Sequence, residues 1–308
     1  MVAACLAAHL APAQDLHLAL SGGRDSVVLL HILHGLLPGR LRAIHVHHGL
    51  SPHADEWARF CADACRALDV PLEIRVVRVE KRGRGLEAAA RAARYRAFLD
   101  SGASILALAH HRRDQAETLL LNLCRGAGVS GAAGMPPRHA LQQSDRRLIL
   151  LRPLLHADAR DILAYAQAHR LAWVEDESNA DIRYRRNFLR ARIFPELATR
   201  FPAIDATLSR AAGHFAETEE LLAELAALDE AHTGGRIQAL RGLSPARQAN
   251  WMRQRLKKLG WHLPDANALA EILRQLAQVR DADNHFRHLL PEGSLYLWQD
   301  RLHCVPDV

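Results

Sequence analysis

"LALSGGRDSVVLL", residues 18–30, joins two apolar runs through two glycines, two serines and an aspartate. The run before the joint has strand length and the run after it continues long enough for a helix, so the chain turns here from strand to helix. Gly22 and Gly23 let the backbone approach a ligand closely and offer bare N–H groups. A helix N-terminus adds partial positive charge, which suits an anion. Ser21 and Ser26 supply hydroxyls. The stretch has no lysine and lacks the Walker spacing, so it reads as a phosphate loop of another kind. Asp25 would repel phosphate directly, so its presence argues for a Mg²⁺ ion between carboxylate and phosphate. A serine/glycine turn capped by Asp25 accounts for S-G-G alone. The whole S-G-G-x-D-S after a first strand is far more specific.

Outward from this joint, short apolar runs at 16–20, 41–46, 72–79 and 104–110 alternate with helical patterns over the first two-thirds of the chain. That alternation predicts βαβ units and a parallel sheet with both faces covered. A fifth strand is expected at 147–155, followed by a helix through "ADARDILAYAQAHR". The segment "VEDESNADIRYRRN" (174–187) is too charged for a core and too dense in Asp, Asn and Arg for an idle linker. A helical stretch over 201–231 leads to "TGGR", a plausible joint. Beyond it, Ser244 and Asp265 stand beside prolines as N-caps of two helices, and the end reads as a hairpin around Gln299 and Asp300. The expected fold is α/β, a Rossmann-like parallel-sheet domain over 1–200 with a smaller, mostly helical domain over 201–308.

The chain has 308 residues, a formal charge of +6 and a pI near 9.4, which favours a polyanionic partner such as RNA. An arginine-decorated surface gives the same balance. Five cysteines with no C-x-x-C exclude a disulfide framework and disfavour a zinc or redox site, so buried free thiols are expected, Cys124 among them. The apolar N-terminus lacks a basic leading region, and no run reaches the length of a membrane helix. A cytoplasmic protein without membrane association is expected.

In an open parallel sheet, ligands bind outside the carboxyl ends of the strands. Polar residues cluster at four such ends. After the first strand comes the phosphate loop. After the second comes "HVHHGL", with His45, His47 and His48; no acid or cysteine completes a metal set nearby, so the turn is read as lining a nucleotide pocket. After the third, "GLEAAARAARYRAF" brings Glu87, Arg91 and Arg94 within about a turn, as phosphate-reaching arginines or as a salt-bridged surface helix. After the fourth, "AHHRRDQAET" places Asp114 and Glu117 three apart, where two acids can hold a metal, orient an amine or simply complement the helix dipole.

Together "SGGRDS", "HVHHGL", "GLEAAARAARY", "AHHRRDQAET…RGAG", "GMPP", "RPLL" and "WVEDESNADIRYRRNFLR" resemble the N-type ATP-pyrophosphatase (PP-loop) family. Within it they are most similar to the tRNA(Ile)-lysidine synthetases, over residues 16–200 and with a tail like that family's substrate-binding domain. The resemblance implies an ATP-dependent ligase that joins free L-lysine to C2 of the first anticodon cytidine of CAU-bearing tRNA(Ile). The base is adenylated first, pyrophosphate leaves, and lysine then displaces AMP. It implies ATP held by Ser21, Gly22, Gly23, Arg24, Asp25, Ser26, His47, Arg91 and Arg94, with Mg²⁺ at Asp25 through the phosphates. Asp25, Asp114 and Glu117 become the catalytic acids, and Arg183, Arg186, Asn187 and Arg190 a tRNA-facing segment. A homodimer is compatible with it.

Two features depart from that family. Arg113 stands where an aspartate usually precedes D-Q-A-E-T, and many members continue into a further C-terminal domain. The rivals on the same fold are a tRNA thiolase, which generally needs a C-x-x-C absent here, and a synthetase fed by ammonia. A silent RNA-binding module is the rival of another class, but binding a polyanion gains nothing from Asp25, Asp114 and Glu117.

Overall fold

The computed structural model describes residues 1–80, 85–143, 145–279 and 286–306. The chain divides into two compact units, Met1–Ala216 and Glu217–Val308.

In the first unit a short helix, α1 (Val2–His9), precedes β1 (Leu16–Ala19), α2 (Arg24–Leu36), β2 (Leu41–His47), α3 (Ala54–Ala67) and β3 (Leu72–Val76). The chain continues through α4 (Leu86–Asp100), β4 (Ile105–Ala107), α5 (Arg112–Leu123), the single turn α6 (Val129–Ala132), β5 (Arg138–Gln143), β6 (Arg146–Leu151) and α7 (Ala159–Ala168). The six strands form one sheet in the order β3-β2-β1-β4-β6-β5. All neighbours pair in parallel except β5, which runs antiparallel to β6 at the edge. The expected parallel sheet is therefore present, with one strand the apolar pattern did not reveal: "RHALQQ" is too polar to announce itself, and an edge strand needs only one packed face.

The centre of the sheet is apolar on both faces. Leu16 and Leu18 of β1 and all three residues of β4 are buried. Val28, Leu29 and Leu33 of α2 close over the sheet with Cys61 and Cys65 of α3. Those two cysteines are the buried thiols expected, but Cys124 is exposed. The helical pattern around it ends at Leu123, and Cys124 becomes the C-cap rather than a core residue.

After α7 comes a 3₁₀ turn (Glu177–Ala180), α8 (Arg185–Phe188), a π turn (Leu189–Ile193), α9 (Phe194–Arg200) and the long α10 (Ile204–Thr233), which carries the boundary between the units.

The second unit holds α11 (Ile237–Arg241), α12 (Pro245–Lys258), α13 (Ala266–Gln278) and three antiparallel strands, β7 (Arg287–Leu290), β8 (Gly293–Trp298) and β9 (Arg301–Pro306). Ser244 and Asp265 cap α12 and α13 through their side-chain oxygens, as the sequence predicts. Gln299 and Asp300 both have positive φ, the backbone of a tight two-residue hairpin turn, between β8 and β9. Trp251, Met252, Leu256, Ile272 and Leu295 form the core of this unit. Among the described residues no helix is long and apolar enough to cross a membrane.

Candidate active site

The loop between β1 and α2 is held by its own side chains. Ser26 Oγ donates to the Gly23 carbonyl at 2.8 Å and lies 3.1 Å from Ser21 Oγ, which accepts from the Gly23 N–H at 3.3 Å. Gly22 has φ +87°, and a Cβ there would stand 3.2 Å from Cys61 Sγ, so position 22 needs glycine on two counts. Its carbonyl accepts from the Val174 N–H at 2.9 Å, which ties the 174–187 segment to the loop. Arg24 and Asp25 open α2, with Arg24 Nε 2.8 Å from Asp25 Oδ1.

The end of β4 supplies the acids. His111 is the N-cap of α5: its Nδ1 accepts from the Arg113 N–H at 3.2 Å, and its own N–H donates to Asp114 Oδ2 at 3.0 Å. Its Nε2 lies 3.5 Å from Asp25 Oδ2 and 3.5 Å from Asp114 Oδ2, so one buried imidazole stands between the loop and the acid pair. Burial opposes charge on Asp25, yet His111 and Arg24 outweigh it and hold the carboxyl below its ordinary pKa. Asp114 is likewise disfavoured by burial and still lowered, by His111, Arg186 and His110. For His111, burial works against the imidazolium, and Asp25, Asp114 and Glu117 overcome it and raise the pKa. The Arg113 N–H at Nδ1 favours the neutral Nε2–H form instead, so protonation of this ring breaks a helix cap.

Glu117 is fully buried, and two arginines reach it from the segment after α7. Arg186 Nε donates to Oε2 at 2.7 Å, and Arg190 donates to Oε1 at 2.8 Å and Oε2 at 2.9 Å. Both guanidiniums also reach Asp114 Oδ1, at 3.1 and 3.4 Å. Within the same motif Gln115 faces the "GMPP" turn, exchanging two hydrogen bonds with the Met135 backbone at 2.8 and 3.0 Å. Arg113 turns to α10 and pairs with Asp205 at 2.5 Å, its guanidinium over the Phe194 ring.

The residues after the second and third strands share no hydrogen bond with Asp114 or Glu117 among the described residues. His45 is buried and its Nδ1 contacts the Leu20 carbonyl at 2.9 Å, just before the loop. His47 Nε2 lies 2.9 Å from Asp55. Arg94 Nε donates to His48 Nε2 at 3.3 Å, and Arg91 donates to the Tyr95 hydroxyl at 3.0 Å. Of the residues expected to face tRNA, Arg183 pairs with Asp181 on the surface, and Asn187 donates to the Ser178 and Asp181 carbonyls, closing its own turn. Arg186 and Arg190 are the two that reach the acid pair. His111 has no role in the sequence reading, although its place three residues before Asp114 was the available signal.

Comparison with known proteins agrees with this layout. Residues 2–197 match the PP-loop domain family, and residues 236–303 match the TilS substrate binding domain. The tRNA(Ile)-lysidine synthase of Aromatoleum aromaticum is 47% identical over 312 residues, covering 98% of this chain and 71% of that one. The chain belongs to the tRNA(Ile)-lysidine synthase family. Those of Nitrosomonas europaea and Azoarcus sp. are each 44% identical, over 92% and 94% of this chain. The chain spans 64% and 65% of the length of these two relatives. Among solved structures, the U34-tRNA thiolase NcsA from Methanococcus maripaludis, with its 4Fe–4S cluster, aligns at a TM-score of 0.52 and 16% identity. It covers 70% of this chain and 78% of that one, a likeness of fold alone.

Proposed function

We propose that this chain ligates free L-lysine to C2 of the first anticodon cytidine of CAU-bearing tRNA(Ile), consuming ATP and releasing AMP and pyrophosphate. The observation that carries the reading is the buried acid pair Asp114 and Glu117, linked through His111 to Asp25 of the phosphate loop. In the first step the cytosine O2 attacks the α-phosphate of ATP and pyrophosphate leaves. Ser21, Ser26 and the Gly22–Gly23 backbone hold the phosphates, with His47, Arg91 and Arg94 as further contacts of the nucleotide. Asp25 and the serine hydroxyls are hard oxygen donors, and Asp25 is held ionised, a set that fits Mg²⁺. When bound, that ion would offset negative charge on the phosphates.

In the second step the lysine ε-amine attacks C2 and AMP departs. Asp114 and Glu117 receive the ammonium and take the proton it must lose before attack. Residues 1–200 would carry the chemistry and 201–308 the grip on tRNA, with the surface residue Arg183 lying towards the anticodon while Arg186 and Arg190 hold the acid pair. Such a reaction belongs in the cytoplasm, where tRNA and ATP meet.

The test is release of AMP and pyrophosphate from ATP with CAU-bearing isoleucine tRNA, with and without lysine. Turnover that requires both, with lysine incorporated into the RNA, supports the reading. Pyrophosphate release indifferent to lysine returns sulfur or ammonia as the nucleophile.

A further inference from the structure

Arg152 follows β6 directly and is 5% exposed. Its Nη1 donates to the Pro136 carbonyl at 2.5 Å, which steadies the same turn that Gln115 grips. Its Nε is shut away from solvent with no hydrogen-bond partner. Among the described residues it makes no ion pair with any carboxylate, so a buried positive charge is left with neutral acceptors only. Such a charge is costly unless an anion joins it.

The surroundings repeat the pattern. Tyr95 lies beside Arg152, and its hydroxyl accepts from Arg91 at 3.0 Å, so two guanidiniums flank one phenol. His110, at the end of the neighbouring strand, has a buried Nδ1 without a partner. Arg91 also makes no ion pair among the described residues. Two cations and an unsatisfied imidazole nitrogen around one neutral hydroxyl describe an anion site, and the free edge of a guanidinium suits a carboxylate.

The strand order says which anion. β4 lies between β1 and β6, so Asp114 and Glu117 stand between the phosphate loop on one side and Arg152 on the other. One strand spacing, about 4.8 Å, separates β4 from β6, within reach of a four-carbon side chain. We propose that Arg152, with His110 beside it, binds the α-carboxylate of the free amino acid whose ε-amine Asp114 and Glu117 receive. The site then recognises a zwitterion by its two ends and turns the amine towards the nucleotide. This assignment rests on the lysine-ligating function proposed above.

The experiment compares lysine with cadaverine, which is lysine without its carboxylate, as amine substrates of the wild type and of Arg152→Met and Arg152→Lys. The wild type should use lysine far better than cadaverine. Arg152→Met should lower kcat/KM for lysine about a hundredfold and leave cadaverine nearly unchanged, erasing the preference. Arg152→Lys, which keeps the charge, should recover part of it, and a thermal melt of each variant separates loss of fold from loss of recognition. A folded Arg152→Met that still prefers lysine overturns the carboxylate site. So does a variant that loses both amines alike while its KM for ATP rises, since the anion is then a phosphate. If the wild type ligates neither amine, the lysine reading falls and the site falls with it.

Discussion

Arg186 Nε and Glu117 Oε2 are 2.7 Å apart, with the glutamate fully buried and the arginine a quarter exposed. The partnership reaches across 69 residues of sequence and joins the segment after α7 to the first turns of α5. Arg190 covers the other side of the same carboxylate, so both oxygens of the buried Glu117 are paired.

Removing one of its two partners should therefore be felt as a stability loss. Arg186→Ala is expected to destabilise the protein by about 2 kcal/mol, because a buried carboxylate keeps only Arg190. Glu117→Gln should cost much less in the Arg186→Ala background than in the wild type. Denaturant unfolding of the two single variants and the double gives the coupling directly, and simple additivity would mean that the pair contributes nothing.

The structure also answers the departure at Arg113. That side chain pairs with Asp205, lies 4.7 Å from the Phe194 ring centre, and shares no hydrogen bond with Asp114 or Glu117 among the described residues. Arg113→Ala should cost about 1 kcal/mol of stability through the lost pair and ring contact. Lysine-dependent turnover should stay within about threefold of wild type, as expected for a site that does not share partners with the acids. Arg113→Asp sets a carboxylate beside Asp205 and should be the less stable of the two. A large fall in turnover for a stable Arg113→Ala would place this arginine in the chemistry after all.

The loop at 21–26 and the acids at 114 and 117 were legible because each motif is contiguous and sits beside an apolar strand whose end defines the ligand side of the sheet. Four things were not. The edge strand β5 shows no apolar period, and the three-stranded sheet of the second unit showed only its last hairpin. Cys124 was misread because an apolar run says that a helix is buried, not where its last turn emerges. The arginines of 183–190 are basic and dense, the usual sign of an RNA-facing stretch, and nothing local in the sequence shows that two of them fold back onto Glu117.

His48 supplies a pH dependence. Burial, then the neighbouring Arg94 guanidinium, push its imidazole down to about 4. Between its ordinary value of about 6.5 and about 4, the unfolded chain takes up a proton that the folded protein refuses, so stability falls as pH falls through that window. Below about 4 both states are protonated and this contribution stops changing. His48→Gln can still accept from Arg94 and has no proton to gain. Its melting temperature should fall less steeply than that of the wild type between pH 6.5 and 4. Parallel curves would show that His48 is not held neutral.

His111 Nε2 lies 3.5 Å from both Asp25 and Asp114, whereas Glu117 is held by two arginines, so the two half-reactions should separate by mutation. Asp25→Asn removes the carboxylate of the loop and should suppress tRNA-dependent pyrophosphate release itself. Glu117→Gln keeps the loop intact and should spare that release while abolishing incorporation of lysine, because the amide can neither balance an ammonium nor take its proton. Pyrophosphate and lysine incorporation measured on the same samples distinguish the two variants. Equal loss of both signals in a folded Glu117→Gln would mean that this glutamate serves adenylation, and the amine would then need another acceptor.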